Sequence, residues 1–224
     1  MKPVIVTNIE RPDRALVEQV GAYSVATLHE AMGRTGLMLP YMRPVYRGAR
    51  AFGTAVTVLC HPGDNLMIHA SVEVCQPGDL LVVTTTSPST DGMFGELLAT
   101  SLKAHGVAGL VIEAGVRDVE ELESMGFPVW SRAISAQGTV KATPGSVNVP
   151  VVCAGTLVEP GDIVVADADG VVCVPKARAE EVVQRAKARV EREAATRSRL
   201  AAGELGLDIY GLRDQLKDLG VTWV

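Results

Sequence analysis

Aromatic side chains are scarce in this chain: Phe, Trp and Tyr make up 4% of 224 residues, although 47% are hydrophobic. The apolar content is carried mainly by Val, Leu and Ala, which favours a layered α/β fold over an all-β sandwich. No apolar stretch approaches the roughly 20 residues that span a bilayer, so no membrane segment is expected. There is no basic cluster with interleaved aromatics, and the net charge is −5, which argues against nucleic acid as the main partner. The opening MKPVIVTNIERPDRALVEQV has neither an apolar core nor a small-residue cleavage site. No secretory signal is evident, and a cytoplasmic location is the default expectation. There is also no CxxC and no Cys/His cluster with zinc spacing. Cys60, Cys75, Cys153 and Cys173 lie far apart, mostly in apolar runs, and read as buried, reduced thiols.

What remains is enough for one core with a projecting tail. Asp13 to Ala22 reads as a helix, and a second begins at Ser24 or Thr27 and ends at Gly33. Leu37 to Gly48, with two prolines, reads as a loop, and the Val/Thr-rich Ala51 to Cys60 as a strand. Asp64 or Asn65 is placed to cap a helix running to about Val74. Gln76-Pro-Gly-Asp and Glu159-Pro-Gly-Asp each form a tight turn into a buried strand, a shared local device without a repeat period. Val129 to Ile134, Thr139 to Val147 and Val149 to Ala154 are strand or turn material, and Asp167-Ala-Asp-Gly170 is a hairpin turn. The expected division is an α/β core over 1–175 and a helical extension over 176–224. The extension is highly charged, with a thin apolar stripe at Val182, Ala186, Val190 and Ala194. Such a helix is expected to pack on a neighbouring copy, making a homo-oligomer, with folding over its own sheet as the alternative.

Chemistry concentrates between Gly95 and Asp118. A helix starting near Glu96 and stopping at Gly106 is followed by the buried strand VAGLVIEAG, so Arg117 returns beside the helix start. Free N–H groups there favour an anion, arginine grips a carboxylate with two donors, and Asp118 is a hard oxygen ligand. The arrangement suits a small, metal-chelating carboxylic acid. Taken singly, Arg117-Asp118 is also a plain ion pair and Glu96 a first-turn acid. Glu30 and His69 also read as surface or satisfied core, Glu193 as a solvated face, and Asn65 as a cap.

Read together, Glu96-x20-Arg117-Asp118-x2-Glu121 resembles the signature of the metal-dependent 4-hydroxy-4-methyl-2-oxoglutarate / 4-carboxy-4-hydroxy-2-oxoadipate aldolases. The wider family also holds ribonuclease E activity regulators. The resemblance extends over ThrLeuHisGluAla at Glu30, ProGlyAspAsn at Asn65, SerAlaGlnGlyThrVal at 135–140 and AlaAlaGlyGluLeuGlyLeuAspIleTyr at 201–210. Glu96 departs from the usual Asp. The resemblance implies a layered αββα fold and a trimer or dimer of trimers with sites between subunits. It further implies Mg²⁺ or Mn²⁺ bound directly by Asp118 and through water by Glu96. The 2-oxo acid carboxylate would be held by the amides of Leu97 and Leu98 beside Gly95, with Asn65 also in contact. Arg117 would sit at the ketone oxygen, and Glu30, His69 and a neighbour's Glu193 would form a proton network. No lysine lies in the matched motif for a Schiff base. The implied reaction cleaves the carboxy substrate to pyruvate and oxaloacetate or the methyl substrate to two pyruvates, in breakdown of aromatic acids such as protocatechuate. Oxaloacetate decarboxylation is a secondary activity. The alternative is a non-catalytic, ribonuclease-regulator-like binding protein.

Overall fold

The computed structural model describes residues 2–224. Asp13 stands at the N-cap of α1 (Arg14–Gly21), and Ser24 caps α2 (Val25–Ala31) by accepting the Thr27 N–H at 3.2 Å. The expected loop after them contains one short edge strand, β1 (Arg43–Pro44). The Val/Thr-rich run is β2 (Ala51–Cys60), followed by α3 (Leu66–Ser71). This helix tightens to a 3₁₀ turn at Val72–Val74 instead of continuing as α, in keeping with two β-branched valines before a proline turn. Then come β3 (Asp79–Thr85), β4 (Gly92–Phe94), α4 (Glu96–Ala104), β5 (Gly109–Val116), α5 (Val119–Ser124) and β6 (Val129–Ile134). Short strands follow: β7 (Ser146–Val147), β8 (Val151–Cys153) and β9 (Thr156–Val158). The hairpin of β10 (Ile163–Asp167) and β11 (Gly170–Val174) turns where expected, and the chain ends in α6 (Ala179–Ala201), α7 (Gly206–Ile209) and α8 (Leu212–Asp218).

Both Pro-Gly-Asp segments build the same turn. Asp79 and Asp162 donate their N–H groups to the Gln76 and Glu159 carbonyls at 3.0 Å each, and their carboxylates accept the Gln76 and Glu159 N–H groups in return. Gly78 and Gly161 take φ of 90° and 94°, which this turn requires of its third residue. The turns deliver β3 and β10 into one sheet, ordered β1-β6-β5-β3-β2-β10-β11. Strands β2, β3, β5 and β6 run parallel, and β10, β11 and β1 run antiparallel to their neighbours.

The sheet curls until its ends nearly meet. Trp130 on β6 donates its indole N–H to the Asp167 carbonyl on β10 at 2.9 Å, and Arg43 on β1 reaches the Asp169 carbonyl in the far hairpin at 2.8 Å. Leu80, Val82, Val111, Trp130, Val164 and Val171 fill the inside. Truncating a buried ring such as Trp130 costs about 3–5 kcal/mol. Helices cover the outside in two groups. One packs on Leu110, Ile112 and Phe127 through Ile68, Leu98 and Leu122; the other packs on Val165 and Val172 through Val17, Leu28 and Val182. In section this is αββα, with one curled sheet supplying both β layers.

The first half of α6 belongs to this packing, since Val182, Val183 and Ala186 are buried. Beyond it Val190 is 44% exposed, and Leu205, Tyr210, Leu219 and Trp223 are exposed along the tail. The four cysteines are unpaired, and burial pushes the Cys60 and Cys75 thiols up to about 12, as inert thiols require. Among the described residues no helix is long and apolar enough to cross a membrane.

Candidate functional site

Parallel β3, β5 and β6 end on one side of the sheet, where polar groups gather. Arg117, just past β5, donates its N–H to the Phe94 carbonyl at 2.9 Å, which holds β4 alongside and brings Gly95 next to Asp118. Neither the three-residue β4 nor the six-residue α5 was evident from the sequence pattern. Asp118 adopts a left-handed conformation, φ 56° and ψ 44°, which aspartate tolerates better than most residues. This aims its carboxylate at the start of α4, where Oδ2 accepts the Glu96 N–H at 3.0 Å. The helix has no side-chain cap of its own at Gly95, so Asp118 supplies the anion that its N-terminus favours. Arg117 Nε lies 3.6 Å from the same oxygen. A side chain at position 95 would collide with this pair, because a Cβ there falls 2.3 Å from Asp118 Oδ2.

These groups line a cavity of about 90 Å³ together with Asn65, His69, Leu97 and Leu98. The N–H groups of Leu97 and Leu98 belong to the first helical turn, where no intrahelical acceptor reaches them. Asn65 stands at the start of α3 without capping it. Its amide nitrogen donates to the Met93 carbonyl at 3.0 Å, while its buried Oδ1 has no partner. Burial, and then the Lys141 ammonium, lower the pKa of His69, so its imidazole is neutral and free to accept a proton near neutral pH. Lys141 itself lines the cavity. Sequence reasoning missed it: the matched stretch at 135–140 ends one residue short.

Three expected site groups lie elsewhere within the chain. The Glu96 backbone belongs to the site, but its carboxylate accepts from the Thr100 hydroxyl at 3.2 Å and lines an acidic groove with Glu120 and Glu121. Glu30 and Glu193 are joined to each other by Arg189, at 3.5 and 2.7 Å, where α2 packs on α6. Neither lines the cavity. Among the described residues no three His, Cys, Asp or Glu side chains converge to hold a metal.

A family model described as "RraA-like: Aldolase/RraA" matches residues 25–173, which include the whole cavity. A protein of Halalkalibacterium halodurans named "Putative 4-hydroxy-4-methyl-2-oxoglutarate aldolase" is 33% identical over 146 residues, 65% of this chain and 70% of its own length. A Pseudomonas putida protein of the same name is 36% identical over 55% of this chain and 76% of its own length. The crystal structure of Streptomyces coelicolor RraAS2, described as an unusual member of the RNase ES inhibitor RraA protein family, superposes with a TM-score of 0.75. It is 32% identical and covers 85% of this chain and 99% of that one.

Proposed function

This chain belongs to the RraA-like Aldolase/RraA family, and from that premise we propose that it is a divalent-metal-dependent pyruvate aldolase. Its substrates are 4-carboxy-4-hydroxy-2-oxoadipate, 4-hydroxy-4-methyl-2-oxoglutarate or both, with oxaloacetate decarboxylation as a secondary activity. One observation carries the reading: an arginine and a carboxylate stand beside uncapped helix amides, around a cavity of small-acid size. A single carboxylate with one oxygen free of hydrogen bonds suits Mg²⁺ or Mn²⁺, which keep much of their coordination for water and substrate. Asp118 would hold the ion, and the ion would supply positive charge at the ketone oxygen.

The chain's own groups do the remaining work. The Leu97 and Leu98 amides bind the pyruvyl carboxylate, and the Arg117 guanidinium holds the ketone oxygen as it gains charge. The C4 hydroxyl loses its proton, C3–C4 breaks, the electron pair passes into the pyruvyl fragment as enolate, and C3 is then protonated. His69, neutral and in the cavity wall, is the acceptor this chain offers for that proton. Glu30 and Glu193 enter from a neighbouring copy, whose α6 and exposed tail pack at the site in a trimer or dimer of trimers. A mixture of Asp118→Ala and Glu193→Ala subunits, each inactive alone, should regain a measurable fraction of activity when co-assembled. No recovery would place both residues in one subunit's site or remove Glu193 from it.

Similarity to the RNase ES inhibitor family supports a second reading, a binding protein without catalysis. The deciding experiment strips the protein with a chelator and offers each substrate with and without Mg²⁺ or Mn²⁺, coupling pyruvate to lactate dehydrogenase. Metal-dependent NADH loss is expected. Silence with both metals and both substrates overturns the aldolase reading in favour of the binding protein.

A further inference from the structure

Lys141 reaches the cavity from a segment with no helix or strand of its own to fix it. Asp64, 2% exposed, does the fixing. Its Oδ1 accepts the Leu66 N–H at 2.9 Å, at the start of α3, while Oδ2 accepts the Ala142 and Thr143 N–H groups at 2.9 and 2.6 Å. Backbone bonds on either side of it extend the tie: Val140 N–H to the Gly63 carbonyl at 2.9 Å, and Asn65 N–H to the Val140 carbonyl at 3.0 Å. One buried carboxylate therefore joins the helix carrying His69 to the loop carrying Lys141, more than seventy residues away. Capping α3 alone needs one oxygen; the other serves only the loop.

We infer that Asp64 is a positioning residue for substrate recognition: it holds the Lys141 ammonium in the cavity wall to receive a carboxylate of the 2-oxo acid. Arg117, Asp118 and His69 are the other ionisable groups of that wall. Lys141 and Arg117 together give the cavity two cations against one carboxylate, the balance an oxo acid with a second anionic end needs. The clamp works as the anion. Burial raises the Asp64 pKa, but the hydrogen bonds from Leu66, Ala142 and Thr143 outweigh it and leave the carboxyl below its usual value. A carboxyl depressed in the folded state lends stability above its unfolded pKa and loses it as pH falls through the folded value.

Substrate identity rests on the aldolase reading; the clamp does not, so the two are tested apart. Asparagine at 64 offers one acceptor for three donors, so Asp64→Asn should abolish amide-exchange protection at Ala142 and Thr143 and open the 141–142 bond to trypsin. Unchanged protection overturns the clamp. Affinity for 2-oxoglutarate, a 2-oxo acid that carries a second carboxylate but no C4 hydroxyl and so cannot be cleaved, is read by calorimetry with Mg²⁺ on the full chain. Asp64→Asn and Lys141→Met should each weaken it about tenfold, and the double variant no further. Multiplying effects, or no effect of Lys141→Met at its exposed position, overturn the positioning role. If Asp64→Asn fails to fold, Asp64→Ser retains a hydroxyl for the Leu66 N–H while falling short of the loop, and the same outcomes apply. Failure of the wild-type protein to release pyruvate, with 2-oxoglutarate binding and the cycle intact, removes the aldolase reading alone.

Discussion

Asp118→Asn should lower metal-dependent pyruvate release by at least about 10²–10³-fold, the scale on which loss of one preorganised electrostatic contact acts. Asparagine is the informative substitution. It matches aspartate in volume and shares its tolerance of the left-handed conformation, so the φ of 56° costs little extra. Its carbonyl oxygen can still accept the Glu96 N–H, so α4 keeps its start. The charge is gone, and the free end becomes an NH₂ donor, which no cation accepts as a ligand. Thermal midpoint and oligomer size should therefore stay near wild type while turnover collapses. Arg117→Ala should act similarly on turnover, because the ketone oxygen then gains charge with no guanidinium beside it. Retention of activity within threefold in Asp118→Asn would remove this carboxylate from the chemistry. Loss of activity with loss of the oligomer would instead make the residue a structural cap.

The contrast between legible and illegible parts of the site follows from the range of the interactions. The β2 strand, the two Pro-Gly-Asp turns and the β10–β11 hairpin are specified by neighbours in sequence, and each appears where the pattern puts it. The meeting of the α4 start with Arg117-Asp118 was legible too, because a helix and a returning strand leave few other ways to connect. Asp64 was readable only as a helix cap, since its partners at 142 and 143 lie across the molecule and nothing local distinguishes a carboxylate with one task from one with two. Lys141 sits on a loop with no periodicity to mark it. The direction of the Glu96 carboxylate depends on which face of the first turn meets the cavity, a matter of a third of a turn that residue spacing does not resolve. The Arg189 bridge from Glu30 to Glu193 is half local, one helical turn along α6, and half tertiary, across the contact with α2.

Gly95→Ala should disturb the same carboxylate with no change of charge. The backbone at Gly95 is extended, φ −163°, so alanine is conformationally allowed there. Restricting the unfolded chain would by itself stabilise the protein by about 0.4–1 kcal/mol, offset by a similar loss for alanine at an N-cap. These backbone terms nearly cancel, and the remaining cost is that of α4 losing its Asp118 acceptor, about 0.5–2 kcal/mol. The added Cβ, however, would lie 2.3 Å from Asp118 Oδ2 and 3.0 Å from Arg117 Cγ. Both must move by something near an ångström, and the carboxylate must give up its contact with the Glu96 N–H. A displacement of that size at reacting groups costs about 10²-fold in rate. The same loss should appear in Mg²⁺ or Mn²⁺ affinity, because the oxygen pushed aside belongs to the proposed ligand. In an Asp118→Asn background the alanine should add far less than 10²-fold, since the group it displaces no longer bears the charge. If Gly95→Ala instead keeps activity within twofold, the carboxylate has room to act from elsewhere. The close approach of α4 to Asp118 would then serve the fold alone.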